Sequence, residues 1–236
     1  MGPSHYLYYS SLHRRRLWLE HLARAFTDHG SSNWATIHRD LNTAHAKTLG
    51  LLSLEGHLGI QRPLPLLKAL DDTPVDSFLA TLTTELDLYQ TELFELMQKY
   101  ARDASWVAAL EPTSMLWGRE LAQECLIALN QKDATAQAIP GGKSVRAIFQ
   151  VFSQVLEGGE FSWKPLLLRR CTDTELEYEL RECPHRRQPE NTHAKAHAAC
   201  RLESMVYRGL VEALVPDVKY ERVDRGSYCV DELHIR

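Results

Sequence analysis

The feature that most limits the fold is a run of apolar residues between Thr73 and Arg102. Leu79, Leu82, Leu86, Tyr89, Leu93, Leu96 and Tyr100 follow one another in steps of three and four. An α-helix turns once in about 3.6 residues, so these steps stack the side chains into one narrow stripe. Thr73 can cap the helix, Pro74 suits its first turn, and Asp76 sets a carboxylate near the positive end of the dipole. Such a stripe needs a cover. Two are open: other helices of the same chain, or a second copy in a homodimer.

Helical spacing governs the flanking segments too. The stretch from His5 to His29 is predicted helical, with Gly30 as a left-handed stop. Within it, His13-Arg14-Arg15-Arg16 precedes Leu17-Trp18, and the cluster reads as a solvated helix face or as an anionic contact surface. Ser31 or Ser32 can cap a second helix carrying Trp34, Ile37 and Leu41. The apolar stretch from Leu51 to Leu70 is broken by Pro63 and Pro65, and a further helix is predicted from Ser114 to Gln131.

The pattern changes after Asp133. Ala134 to Ser144, containing Pro140-Gly141-Gly142, reads as a linker, and Ser144 to Leu156 fits a helix or a buried strand. From Thr174 to Arg181 the chain alternates: Leu176, Tyr178 and Leu180 face one way, Glu175, Glu177 and Glu179 the other, as in a half-buried strand. Thr192 can start a helix that reaches Leu214 before Pro216. Val218 to Asp224 and Ser227 to Ile235 then read as two strands about the turn Arg225-Gly226. The class expected is α+β, with a helical domain over residues 1–133 and a small α/β domain over 134–236.

Charge and cysteine content narrow the function. A net charge of -4 over 236 residues disfavours nucleic acid as a main partner, because phosphate binding needs a basic excess. Arg14 to Arg16 interrupt the start of the chain before any long apolar run, so no signal peptide is expected, and no segment suits a membrane span. Five cysteines, an odd number in a chain long enough to fold without staples, point to a cytoplasmic protein with free or metal-bound thiols.

Chemistry concentrates between Cys183 and Cys200. Cys183, His185, His193, His197 and Cys200 are all potential ligands, and His193, His197 and Cys200 share one face of the predicted helix. Imidazole and thiolate donors suit zinc. The alternative is a partly exposed helix whose histidines make ordinary hydrogen bonds and whose Cys200 acts as a small apolar residue. Cys229, on the final strand, adds a thiol that this helix can meet. Cys125 and Cys171 read as core thiols. Gly142-Lys143-Ser144 is not a phosphate loop, since Gln137 stands where that loop needs glycine. Glu203 and Glu221 are able to do acid–base work, but no glycine-flanked serine nucleophile accompanies them.

The last forty or so residues resemble the vinyl-reductase-like (hydrocarbon-binding) domain family. The resemblance rests on Cys200, Gly209 within R-G-L-V-E-A-L, and Y-E-R-V-D-R-G-S-Y-C ending at Cys229. Amino-thiazoline-carboxylate hydrolase-like proteins have a similar tail. The family includes the sensory domains of phenol-responsive regulators, in which cysteines and a glutamate hold zinc. By that pattern Cys200 and Cys229 match the outer cysteine positions, and Glu221 stands where a middle cysteine is expected. Taken with the shared helix face, the resemblance implies a zinc site drawn from His193, His197, Cys200, Glu221 and Cys229. It also implies an apolar pocket lined by Phe161, Trp163, Tyr178, Tyr207 and Leu210. The function implied is a sensory or accessory protein that binds a small hydrophobic molecule and acts through a partner protein. The alternative is a metal- or thiol-dependent hydrolase, or another enzyme acting on a small molecule, with Cys200 or Cys183 as its reactive thiol.

Overall fold

The computed structural model describes residues 3–53, 75–132, 145, 148, 166–180, 193–215, 217–225 and 229–235. Its elements are α1 (Pro3–Ala25), a 3-10 turn (Phe26–Asp28), α2 (Trp34–Ala44), α3 (Ala46–Ser53), α4 (Val75–Tyr100), α5 (Trp106–Lys132), β1 (Leu166–Cys171), β2 (Glu175–Leu180), α6 (His193–Leu214), β3 (Val218–Asp224) and β4 (Cys229–Ile235). The class is α+β, as the sequence predicts. None of the helices searched among the described residues is long and apolar enough to cross a membrane.

The chain divides into two compact units between Ala108 and Ala109. The change in composition lies near residue 133, but packing places the division earlier, because most of α5 belongs with the C-terminal elements. α5 also begins eight residues before the predicted start and continues through Pro112.

In the first unit α4 is the central element and packs on α1, α2 and α3. Leu79, Leu82, Leu86, Tyr89 and Leu93 are all buried, so the stripe is covered within the chain. Beyond Leu93 the buried line moves to Met97, while Leu96 and Tyr100 are only half-buried. A straight helix drifts away from a strict heptad in this sense. The capping pair Thr73-Pro74 and most of the segment from Leu51 to Leu70 lie outside the described residues.

Gly30 is not a left-handed stop; it makes an antiparallel bridge with Ala101 and lies against the Phe26 ring. The basic cluster on α1 is not a solvated face. His13, Arg15 and Arg16 are buried at 7–8% exposure, and Arg14 is half-buried. Arg15 donates from Nε to Gln90 Oε1 at 2.7 Å, and its Nη2 stands 2.6 Å from Asp87 Oδ1. His13 Nδ1 bonds the Leu52 carbonyl, and Arg16 reaches Glu20 one turn along α1. Arg15 and His13 thus tie α1 to α4 and to α3, while Arg16 is paired within α1.

The second unit holds a four-stranded antiparallel sheet in the order β1-β2-β4-β3. Register puts Tyr178, Asp231 and Arg222 in one row across it, with Leu176, Leu233 and Tyr220 in the next. Alternation places both rows on one face, the face that packs on α6. Tyr207, Leu210 and Val211 of α6, with Val215 just past its end, complete that core, joined by Ala122 of α5 and by Val145 and Ile148. The opposite face carries Glu177, Glu232 and Glu221 in register. The helix predicted from Thr192 and the three predicted strands are present, while the segment from Ser144 to Leu156, apart from Val145 and Ile148, lies outside the described residues. β1 was not foreseen: L-L-L-R-R-C does not alternate, and its register slips between Leu168 and Arg170.

Candidate functional site

The strand alternation that buries Val218 and Tyr220 also carries Arg222 inward, and the same rule on β4 carries Asp231 inward between Cys229 and Leu233. The two meet face to face. Arg222 Nε donates to Asp231 Oδ1 at 2.6 Å and Nη2 to Oδ2 at 2.8 Å, the forked geometry a guanidinium offers a carboxylate. Asp231 is fully buried, and the Arg222 side chain is 11% exposed. From α6, Glu203 Oε2 stands 3.8 Å from Arg222 Nη1, and the guanidinium carbon lies 5.1 Å from the centre of the Tyr207 ring.

Tyr178 and Tyr220 flank the pair in the sheet. Burial pushes both phenols well above their ordinary range, and the Asp231 charge adds to the effect. Burial acts on Arg222 in the opposite sense, but Asp231, Tyr220 and Glu203 outweigh it and hold the guanidinium above its usual value. The site is therefore a charged Arg–Asp pair with a second carboxylate nearby, walled by three tyrosines in an otherwise apolar interface. Such a set can orient a ligand by hydrogen bonds and ring contacts. It supplies no activated nucleophile.

The other sequence candidates are distributed as follows. Tyr178, Tyr207 and Leu210 are buried in this core, and Phe161 and Trp163 lie outside the described residues. Cys229 is buried on β4, one row beyond Asp231, and Cys200 is half-buried on α6, one turn before Glu203. Glu221 does not join them. It pairs across the sheet with Glu232, while Cys229 pairs with Asp224, so Glu221 and Cys229 stand on opposite faces. Glu221 is exposed and lies 3.1 Å from Lys219 Nζ. His193 and His197 are on α6, but their side chains, like Cys183 and His185, fall outside the described set. Among the described residues no group of three or more histidine, cysteine or acidic side chains is placed to hold a metal.

Sequence reasoning named Glu203 but missed Arg222 and Asp231. The signal was available: each is a charged residue in phase with apolar neighbours on a strand, the pattern of a buried polar group that must find a partner. The fold and site together define an α+β chain whose C-terminal helix–sheet unit encloses a fixed ion pair. No family model, curated protein or solved structure matches the chain.

Proposed function

We propose that the C-terminal unit binds a small, largely apolar molecule between α6 and its sheet, and that the protein works as a sensory or accessory component through a partner protein. One observation carries this reading: three tyrosines surround a buried Arg222–Asp231 pair in an interface that is otherwise apolar. Binding sites for small molecules combine that kind of apolar wall with a few fixed polar groups. Packing alone gives no reason to concentrate them, since a buried ion pair adds little net stability over apolar residues of similar volume.

Zinc belongs to the same proposal. Cys200 and Cys229, with His193 and His197, would be its donors, and Glu221 is excluded by its face of the sheet. The donor set is soft and matches zinc chemistry. Bound there, zinc would tie α6 to β4 and so link the order of the last helix to that of the hairpin.

Native mass spectrometry of the gently purified full chain, with elemental analysis, tests both parts. The expected result is a small-molecule adduct lost on denaturation and close to one zinc per chain. A bare apo mass, joined to no thermal shift with any member of an apolar small-molecule panel, would overturn the binding reading. Absence of zinc after purification in zinc-supplemented medium would overturn the metal part alone.

A further inference from the structure

In the N-terminal unit a line of polar side chains runs along α2. Along α2, Trp34 Nε1 donates to the Ala23 carbonyl of α1 at 2.9 Å, and the Trp34 ring meets Phe26 edge-on. One turn on, the His38 ring lies flat against Trp34, with centroids 5.8 Å apart and an interplanar angle of 7°. One turn further, Asn42 Oδ1 accepts the hydroxyl of Tyr89 from α4 at 3.0 Å. Trp34 therefore ties this end of α2 to α1, with the His38 ring backing it, while the rest of α2 packs on α4 and α3.

His38 Nε2 is buried with no hydrogen-bond partner among the described residues, and so is Arg16 Nε. Glu20 is the carboxylate that both His38 and Tyr89 feel. It is engaged already, with Oε1 2.6 Å from Arg16 Nη2 and Oε2 3.9 Å from Arg24 Nη2. The groups acting on His38 from α1 are thus Glu20 and Arg24, with Arg16 acting through Glu20, and Tyr89 shares Glu20 from α4. His45, at the end of α2, pairs instead with Glu92 of α4.

A neutral imidazole keeps one bare nitrogen, which can sit unpaired at modest cost. Protonation turns that nitrogen into a charged N–H donor with no acceptor, in a seam that holds two arginines and one carboxylate. Glu20 already holds Arg16 on Oε1 and faces Arg24 with Oε2, so a protonated His38 would have to share that one carboxylate with two arginines.

We propose that His38 is an acid-sensitive clasp, and that protonating its ring loosens Trp34 from α1 and uncovers the Trp34 end of α2. Burial holds the ring below the ordinary histidine range, against the pull of Glu20, in agreement with this geometry. The sign follows. The released state binds a proton more readily than the clasped state, so clasping is complete above about pH 6.5 and weakens as pH falls below it.

The test is hydrogen exchange on the full chain between about pH 7.5 and pH 5, corrected for intrinsic exchange, with the His38 titration followed by NMR. In the wild type, amides at the Trp34 end of α2 should lose protection by roughly tenfold per pH unit across the window in which His38 titrates. His38→Gln, which cannot take up the proton, should abolish that slope. An equal slope in the variant would overturn the proposal. A ring that titrates at or above about 6.5 would overturn it as well, and this readout does not depend on any variant folding.

Discussion

Arg222 and Asp231 face each other across β3 and β4 in a two-pronged contact of 2.6 and 2.8 Å, with the carboxylate fully buried. The pair joins the edge strand β3 to its neighbour on the face that α6 covers. Removing one member leaves the other as an uncompensated charge. Asp231→Ala is therefore expected to cost about 3–5 kcal/mol in chemical denaturation. The double replacement Arg222→Met with Asp231→Leu should cost clearly less than Asp231→Ala alone, because it removes both charges and keeps the volume. A double variant as damaged as the single would show that the pair's value lies outside its charge complementarity.

The tyrosines beside that pair predict an alkaline weakness. Burial raises Tyr178 and Tyr220 well above the ordinary phenol range in the folded chain. The unfolded chain loses these protons near pH 10 while the folded chain keeps them, so stability is complete below about 10 and declines above it. Ultraviolet titration should show that these two phenols ionise only as the unit unfolds. Tyr178→Phe with Tyr220→Phe should flatten the alkaline fall. Early, reversible ionisation of every tyrosine would contradict the burial.

The parts of this fold legible in sequence were those in which a period repeats over several turns or strands. The α4 stripe, the β2 alternation and the helix–strand–strand ending each repeat a simple spacing, and each is present. The failures are local. β1 has no alternation to detect, and α5 runs through Pro112, which composition treats as a break. Charge in the interior was the harder matter. His13-Arg14-Arg15-Arg16 looks like a solvated face because the acceptors Asp87 and Gln90 come from α4, more than seventy residues along the chain. Arg222 and Asp231 were hidden for a related reason, since neither has meaning until β3 and β4 are set in register. The thiols were visible as chemistry, but only register separates Glu221 from Cys229.

Arg15 provides the matching test in the helical unit. Its guanidinium ties α1 to α4 through Gln90 and Asp87 while remaining buried. Arg15→Met should cost roughly 1.5–3 kcal/mol, the range for hydrogen bonds to a charged group, with part of the packing kept by the new side chain. Arg15→Lys should rescue little, because a point charge on a flexible stem cannot serve two acceptors in a fixed fork. A loss within about 0.5 kcal/mol in urea denaturation would return Arg15 to the solvated face its sequence suggests.

Gly118 of α5 and Gly209 of α6 mark where the two helices touch through their backbones. A Cβ on Gly118 would stand 1.9 Å from the Val206 carbonyl oxygen, and one on Gly209 would stand 2.1 Å from the Met115 carbonyl oxygen. These neighbours are helix backbone and cannot rotate away, so the helices would have to separate. Alanine normally gains about 1 kcal/mol over glycine inside a helix. Overpacking typically costs about 1–3 kcal/mol, and a clash with backbone belongs at the upper end, so the clash wins. Gly118→Ala and Gly209→Ala should each destabilise the chain, and because one separation of the helices accommodates both, the double variant should cost less than the sum. Gly50, on α3, supplies the control: a Cβ there meets nothing within 4 Å, so Gly50→Ala should stabilise by up to about 1 kcal/mol. Opposite signs at these sites in one denaturation series would establish the close crossing of α5 and α6. A stabilising Gly118→Ala would rule it out.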